Sequence, residues 1–328
     1  MLRYLGVDAG GTSTRAVLVS ADGTCLGLGH AGSGNPVSSG TEHAAAQVLA
    51  ASLQAVAAAG VDPTEVAGAV AAMAGARVVG GPAWLNEACG AGGLPVTFRL
   101  EADLHATFSS ASPESAGYAL VAGTGAIALR VHDDEVDQVS DGIGWLLGDV
   151  GSGFWIGQQV ARTALAALDG RGPATALSRA LLEQLGLDPD PVGLIEGRSR
   201  SVQDAVDVLY SSRPVDLAHL APLAFAVGPD EVAAQIIAEA AAALATTVAA
   251  VRRPGLRGPM VFGGSVLTRQ PEFAQQVRRL AGEFDDPVFT HDGLVGAASL
   301  ALRRHGVVVD RHIFDRLTTT ISAARAAG

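Results

Sequence analysis

The chain has 328 residues, of which 48% are hydrophobic and 17% charged, and its net charge is −11. This length accommodates two domains with their own cores, the composition excludes a disordered protein, and the negative charge argues against nucleic acid as a general partner. All 22 basic residues are arginine, which excludes Schiff-base catalysis, a pyridoxal phosphate anchor and a Walker-type phosphate lysine.

The first third of the chain predicts three strands in a meander, followed by alternating helices and strands. Turns at Gly10-Gly11 and Asp22-Gly23 separate the meandering strands. The predicted strands are Tyr4–Asp8, Arg15–Ser20, Thr24–His30, Val66–Met73 and Val96–Leu100. The predicted helices are Glu42–Ala59, Ala83–Ala91 and a helix from about Ala102. Such an order predicts a mixed sheet with helices on both faces.

The same order restarts in the second part of the chain, where three strands are again separated by short turns. These strands are Tyr118–Ala122, Ala126–Val131 and Val136–Ser140. Helices are predicted over roughly 152–253, and the later elements are Pro259–Phe262, a helix, Pro287–Thr290 and Leu294–Arg304. We interpret the repeat as two lobes of one architecture, 1–112 and 113–308, with a ligand cleft between them. The helical segment 309–328 is expected to pack back on the first lobe.

Three glycine-rich turns follow strands and suit phosphate or nucleotide binding. In Gly6-Val-Asp-Ala-Gly-Gly-Thr-Ser-Thr-Arg15 a strand ends in Asp8, and the turn after it offers backbone N–H groups and hydroxyls to a phosphate. Ala122-Gly-Thr-Gly-Ala126 occupies the matching place in the second half, and Val261-Phe-Gly-Gly-Ser-Val266 precedes a helix. Each has a plainer interpretation: an acidic hairpin turn, a Gly-x-Gly turn, and a helix start capped by Ser265.

Together the three turns resemble the two phosphate loops and the adenosine loop of the actin-like ATPase superfamily, whose lobes have a ribonuclease-H-like fold. Within it the chain is similar to the N-acetylglucosamine kinase group, which includes the BadF/BadG/BcrA/BcrD-type ATPases that activate reductases and dehydratases. The similarity extends to Gly293-Leu-Val-Gly-Ala-Ala-Ser-Leu300. It is most specific in Gly142-Ile-Gly-Trp-Leu-Leu-Gly-Asp-Val-Gly-Ser-Gly-Phe-Trp-Ile-Gly157.

The resemblance implies a role for each of several residues. Asp103 matches the catalytic base, although Glu101 is a nearby competitor and a first-turn aspartate also suits the helix dipole. Asn35 and Asp149 match sugar-binding residues, with a turn and a helix cap near Gly151 as their plainer interpretations. The sugar site would also include Gly125 and Gly142. Asp8 would hold Mg²⁺ through water, and ATP would contact Gly10, Gly11, Thr12, Ser13, Gly123, Thr124, Gly263, Gly264 and Ser265.

Some positions depart from the pattern of the group. Ile143 replaces a usual Trp, Val150 a usual Glu, and Ala126 a common Ser, which leaves the identity of the sugar open. Cys25 and Cys89 are the two cysteines of the chain, and they stand in no motif for an iron–sulfur cluster or for a structural zinc.

The resemblance implies an ATP- and Mg²⁺-dependent kinase that phosphorylates an amino sugar such as N-acetylglucosamine or glucosamine. The alternatives are an ATPase that activates a partner protein and a sugar sensor without activity. We expect a cytoplasmic location, because the N-terminus shows no signal peptide and no apolar run reaches the roughly 18 residues of a membrane span. We also expect a homodimer.

Overall fold

A computed structural model describes residues 1–75, 80–190, 192–282, 284–285 and 287–327. The first sheet has the order β3-β2-β1-β4-β5. Its strands are β1 (Arg3–Ala9), β2 (Thr14–Ser20), β3 (Cys25–Ala31), β4 (Val66–Met73) and β5 (Phe98–Ala102). Strands β1, β2 and β3 pair antiparallel, whereas β4 and β5 run parallel to β1. The helices within this part of the chain are α1 (Pro36–Ser39), α2 (Thr41–Ala58) and α3 (Ala83–Ala91).

The second sheet repeats this order as β12-β11-β6-β7-β8. Its strands are β6 (Gly117–Ala122), β7 (Ala126–His132), β8 (Glu135–Asp141), β11 (Met260–Gly263) and β12 (Val288–Phe289). Again the first three strands pair antiparallel and the last two are parallel to the first. The predicted duplication of two mixed five-stranded sheets is therefore confirmed.

Most of the helical mass of the second lobe lies between β8 and β11. The helices between these strands are α5 (Gly153–Leu168), α6 (Leu177–Gln184), α7 (Arg200–Ser211), α8 (Ala221–Ala226) and α9 (Glu231–Ala250). Helix α4 (Asp103–Ala111) precedes β6, and α10 (Ser265–Thr268) and α11 (Pro271–Ala281) follow β11. A two-stranded hairpin of β9 (Leu194–Ile195) and β10 (Arg198–Ser199) was not predicted, and a 3₁₀ helix covers Pro214–Leu220. The chain ends with α12 (Leu294–Arg304) and α13 (Arg311–Ala327).

Helix α2 packs unusually close to β3 because glycines leave room for its backbone. A Cβ atom on Gly27 would stand 2.2 Å from the carbonyl oxygen of Ala55, and one on Gly29 would stand 1.9 Å from that of Ala51. The alternation of Gly27 and Gly29 on one face of the strand thus matches one turn of small residues on the helix. This contact fixes α2 over one face of the first sheet, where Val48 and Val56 enter the core.

The helix that follows the last strand of each sheet packs on the other sheet. Helix α4 follows β5 of the first sheet, yet its Phe108 packs against Leu129 and Val261 of the second sheet. Helix α12 follows β12 of the second sheet, and its buried residues pack against Val70 and Ala72 of the first. The helices also touch each other, since Gly296 N donates a hydrogen bond of 2.7 Å to Ser110 Oγ.

The C-terminal helix α13 lies on the same face of the first sheet as α12. Its Phe314, Leu317 and Ile321 are buried there, and Thr320 Oγ1 accepts a hydrogen bond of 2.9 Å from Cys25 N. The interval 113–308 therefore contains α12, which packs on the first lobe. The limits 1–112, 113–308 and 309–328 stay a prediction, and Gly328 lies outside the described residues.

Helix α9 qualifies the expectation that the chain has no membrane-length apolar segment. Among the described residues it is long and apolar enough to cross a membrane, with 20 residues and a mean hydropathy of 1.6. Its Ile236, Leu244 and Val248 are nevertheless buried in the core of the second lobe. Helix α9 is therefore an alanine-rich helix of the core, and its sequence includes the charged residue Glu239.

The crossing of α4 and α12 gives a stability prediction. A Cβ atom on Gly296 would stand 1.8 Å from the carbonyl oxygen of Ala106, so Gly296→Ala must push the two helices apart. We expect the free energy of unfolding to fall by about 1–3 kcal/mol or more. Gly90→Ala in α3 is the control, because nothing lies within 4 Å of its Cβ position, and it should be neutral or stabilise by up to about 1 kcal/mol. Equal effects in chemical denaturation would contradict the close approach.

Candidate active site

Two adjoining cavities lie at the carboxyl ends of the central strands, between the lobes. The larger has a volume of about 760 Å³ and is lined by Asn35 and Asp103 from the first lobe and by Gly125, Asp141 and Asp149 from the second. The smaller has a volume of about 420 Å³. Thr12, Gly123 and Thr124 line both. The first and second glycine turns therefore lie where the two cavities meet, so that a chemical group could be transferred from a molecule in one cavity to a molecule in the other.

The first glycine turn joins β1 to β2 and is closed by a hydrogen bond of 3.0 Å from Gly10 N to Ser13 O. Gly11 and Thr12 are exposed at its tip, and both line the larger cavity. The next hydroxyl, that of Thr14, is buried and donates to Gly32 O at 2.8 Å. Of the predicted phosphate contacts in this turn, Gly11 and Thr12 thus line a cavity, whereas Gly10 and Ser13 support the turn behind them.

The second glycine turn, Gly123–Gly125, joins β6 to β7 and is held by the start of α5. Gly153 N donates to Gly123 O at 2.7 Å, and Phe154 N donates to Thr124 O at 3.1 Å. These bonds use amide groups that a helix start otherwise leaves free. The carbonyl groups of Gly123 and Thr124 consequently face α5, whereas that of Gly125 accepts from Gly123 N within the turn. Thr124 lines both cavities.

Asp149 holds the same turn from the other side. Its Oδ1 accepts a hydrogen bond of 3.1 Å from Ala126 N, and a Cβ on Gly125 would stand 2.9 Å from its Oδ2. Burial raises the pKa of Asp149, the bond from Ala126 lowers it, and the nearby Asp141 raises it further. The plainer interpretation of Asp149 as a helix cap is wrong, because α5 begins at Gly153 and the side chain of Ser152 caps it.

Asp141 is a cavity residue that the sequence analysis missed. It ends β8, has a φ of +62° and is followed by Gly142 at +71°, and its Oδ1 accepts a hydrogen bond of 2.8 Å from Asp149 N. Gly142 lines the larger cavity as well. The Asp-Gly dipeptide after an edge strand was the available signal, since both residues adopt left-handed backbone conformations.

Asp103 begins α4 at the end of β5, and its side chain lines the larger cavity. Its Oδ1 accepts the N–H of Leu104 at 3.0 Å. Burial raises the pKa of Asp103 against the opposing effect of this backbone bond. Glu101, the competitor, lies outside this cavity and is paired with Arg304 and His105. Although burial raises the pKa of Glu101, those two partners hold it below its usual range.

Asp8 lies at the end of β1, next to the start of α12. Gly293 N donates to its Oδ2 at 3.1 Å, and Arg15 Nη1 is 3.8 Å away. Burial and the charge of Asp292 raise the pKa of Asp8 to about 6, against the opposing effects of Gly293 and Arg15. A divalent cation would stabilise such a buried carboxylate. Asp8 lines neither cavity, so its Mg²⁺ role stays a prediction. The described residues hold no group of three or more His, Cys, Asp or Glu arranged as a metal site.

Asn35 caps the short helix α1 and lines the larger cavity. Its Oδ1 accepts the N–H of Val37 at 2.9 Å, which leaves its amide N–H groups for a ligand. In the third glycine turn Ser265 lines the smaller cavity, whereas Gly263 and Gly264 do not. Ser265 does not cap α10, because Gly264 occupies the N-cap. A Cβ on Gly264 would stand 2.4 Å from the backbone of Ala122, so this turn packs directly on the end of β6.

The remainder of the smaller cavity comes from helices that carry no recognisable motif. It is lined by Arg213, His219, Phe225, Arg269 and Gln270, among others. Arg213 forms a salt bridge with Asp216, with 2.8 Å between Nη2 and Oδ1, and Arg269 is exposed. These residues could not be predicted, because an insertion of helices between strands has no fixed spacing from which to place a cavity wall.

A run of large apolar side chains is exposed next to the larger cavity, between β8 and α5. Leu146 and Leu147 are each 75% exposed and Ile143 is 62% exposed. Trp145 packs on Phe154 with 5.4 Å between ring centroids, yet 42% of its surface remains exposed. Apolar surface of this extent is a common sign of a contact with another molecule or segment.

Comparison with known proteins gives matches over most of the chain. The BadF/BadG/BcrA/BcrD ATPase family matches residues 5–301. An N-acetyl-D-glucosamine kinase of Dictyostelium discoideum is 29% identical over 67% of this chain and 69% of its own length. The glucosamine kinase GspK of Vibrio cholerae is 28% identical over 58% of this chain and 63% of its own length.

A solved structure supports the fold. A Chromobacterium violaceum protein, provisionally described as an N-acetylglucosamine kinase, superposes with a TM-score of 0.71 at 24% identity. The superposition covers 92% of this chain and 99% of that one. The predicted actin-like architecture with two related lobes is thereby confirmed.

The raised pKa of Asp8 predicts a specific pH dependence of stability. The folded protein binds this proton more tightly than the unfolded chain, so the stabilisation due to protonation is present below about pH 4 and lost as the pH rises through about 6. Without divalent ions, Asp8→Asn should therefore raise the free energy of unfolding at pH 8 by up to roughly 3 kcal/mol, with little effect near pH 4.

Asp22 supplies the opposite case. Hydrogen bonds from Ser20 and other groups lower its pKa to about 2, so Asp22→Asn should destabilise the protein at pH 8. Denaturant titrations of both variants across this pH range check the signs. Stabilisation by Asp8→Asn that was equally large at pH 4 and pH 8 would contradict a buried, weakly compensated carboxylate.

Proposed function

The chain belongs to the BadF/BadG/BcrA/BcrD ATPase family, and on that basis we propose that it transfers the γ-phosphoryl group of ATP to a hydroxyl of an amino sugar. The observation that carries this proposal is the pair of cavities that meet at Thr12, Gly123 and Thr124. One cavity would hold the nucleotide and the other the acceptor, with Asp103 on the acceptor side.

The nucleotide is assigned to the smaller cavity. Its phosphates would reach the junction, where hydroxyls of Thr12 and Thr124 and backbone groups of the two turns replace the lysine that the chain lacks. The adenosine would lie toward Ser265, against the glycine turn after β11. Asp8 would hold Mg²⁺, and a cation bound there would supply positive charge to neutralise the charge that develops on the phosphates during transfer.

The acceptor is assigned to the larger cavity. Asn35, Asp103, Asp141 and Asp149 provide polar groups that could bind sugar hydroxyls, and within the described part of the chain no arginine or histidine lines this cavity. A sugar acid or a sugar phosphate would face the carboxylates of Asp103, Asp141 and Asp149 there. A neutral or cationic sugar fits this lining, as do the substrates named for the two kinase relatives.

Asp103 would act as the general base. A carboxylate at the acceptor side of the junction can accept the proton of the attacking hydroxyl and orient its oxygen toward the γ-phosphorus. Burial raises the pKa of Asp103, which makes the carboxylate a stronger proton acceptor than one in water. Backbone atoms of Gly125 and Gly142 would complete the wall around the sugar.

The partner-activating ATPase is the competing function. Cys25 is half-buried on β3, and burial raises the pKa of Cys89 on α3 to about 12. Neither thiol lines the two cavities. Such cysteines do not suit an exposed metal cluster shared between subunits, whereas the polar lining of the larger cavity has an evident use in sugar binding.

We further propose a homodimer located in the cytoplasm. The exposed apolar run that includes Ile143, Leu146 and Leu147 supports self-association, because burying it would remove apolar surface from water. ATP as phosphoryl donor supports the cytoplasm. A monomer at micromolar concentration in sedimentation analysis would contradict the proposed dimer without affecting the kinase proposal.

A substrate panel tests the function. With Mg-ATP, we expect phosphorylation of N-acetylglucosamine or glucosamine, and slower or no reaction with hexoses, polyols, sugar acids and sugar phosphates. The measurement is phosphorylated product, quantified together with ADP release. ATP hydrolysis at the same rate with and without every sugar would instead favour the partner-activating ATPase.

Asp103→Asn tests the mechanism. It preserves the size of the side chain but removes the proton acceptor, so turnover should fall about 10²–10⁴-fold with little change in nucleotide affinity. Glu231→Gln is the matched control, because Glu231 is also an acid in the first turn of a helix and lies outside both cavities. It should leave turnover unchanged. Wild-type turnover in Asp103→Asn would remove the proposed base.

A further inference from the structure

A network of charged side chains lies directly beside the larger cavity, at the end of α12. Arg304 Nε donates to Glu101 Oε1, and Arg304 Nη1 lies 2.6 Å from Glu135 Oε1. Glu101 Oε2 lies 3.1 Å from His105 Nδ1. Three members are largely enclosed, because the side chain of His105 is 1% exposed, that of Glu101 14% and that of Arg304 18%, whereas that of Glu135 is 67% exposed.

Two members of this network bracket the proposed base. Glu101 stands two residues before Asp103 at the end of β5, and His105 stands two residues after it in the first turn of α4. No side chain caps this helix start, since the N-cap position is Ala102. The Glu101–His105 contact, with the arginine that holds Glu101, is therefore a side-chain link across the point where the strand passes into the helix.

The other end of the network reaches the second lobe. Arg304 Nη2 donates to Asp134 O at 3.1 Å, and Glu135 begins β8, the strand that ends at Asp141 in the larger cavity. Arg303 holds the same turn, because it donates to a carboxylate oxygen of Asp134 and to the carbonyl oxygen of Pro113. One guanidinium thus joins the segment that carries Asp103 to the strand that carries Asp141.

We propose that Arg304 is a positioning residue for phosphoryl transfer: it fixes the β5–α4 junction, and so the carboxylate of Asp103, relative to the acceptor wall of the second lobe. This inference rests on the proposed function. Arg304 touches neither cavity junction nor acceptor, so it would act only through Asp103. Its planar guanidinium can bind two carboxylates at fixed angles, which a lysine cannot do.

The test compares Arg304→Gln, Arg304→Lys and Arg99→Gln in the full chain. Arg99 is the matched control, because it lies on the same strand as Glu101 and lines the same neighbouring cavity of about 470 Å³ as Arg304, but is exposed. We expect kcat to fall at least 10-fold in Arg304→Gln, with the affinity for ADP within twofold of the wild type. Arg304→Lys should be intermediate, and Arg99→Gln should match the wild type.

The double variant Arg304→Gln/Asp103→Asn separates positioning from a general loss of structure. If Arg304 acts through Asp103, the double variant should turn over no more slowly than Asp103→Asn alone. A further 10-fold loss, or a wild-type kcat in Arg304→Gln, would overturn the inference. Should Arg304→Gln not fold, wild-type kcat in a folded Arg304→Lys would overturn it equally. If Asp103→Asn itself kept full turnover, the proposed function would fail instead.

Discussion

Where α4 and α12 cross, Gly296 leaves no room for a side chain, because a Cβ there would stand 1.8 Å from the carbonyl oxygen of Ala106. Each of these helices follows the last strand of one sheet and packs on the other sheet. The crossing therefore joins the lobes and also brings their strand ends together. It sets Asp103 at the start of α4, and it sets Gly293 at the start of α12, where its N–H binds Asp8.

The same arrangement concentrates negative charge. Burial raises the pKa of Asp8, of Asp103 and of Asp149, so each of these carboxylates lowers the stability of the ligand-free fold at neutral pH relative to a protonated group. Arg15, whose Nη1 is 3.8 Å from Asp8, compensates that group only in part. A divalent cation and a sugar that donates hydrogen bonds would compensate them on binding, which links these raised pKa values to the proposed ligands.

Architecture was predictable because strand periodicity and glycine turns are local. The strand Val66–Met73 and the helices Ala83–Ala91 and Leu294–Arg304 were predicted to the residue. The exchange of α4 and α12 between lobes was not, because it depends on contacts between distant segments. Asp141, Arg213 and Arg269 were missed for a related reason, since they line cavities without belonging to a motif. The roles of the predicted residues stay predictions.

The three departures from the family pattern have different physical consequences. Ala126 is buried in the core of the second lobe, its N–H binds Asp149, and the residue also lines the larger cavity. A serine there would therefore affect both the packing of the core and the lining of the cavity. Ile143 and Val150 are 62% and 38% exposed beside the larger cavity, and there they replace a larger aromatic ring and a carboxylate. In the proposed kinase, loss of that carboxylate would leave Asp141 and Asp149, which line the cavity, as acids that could bind the amine or amide group of the sugar.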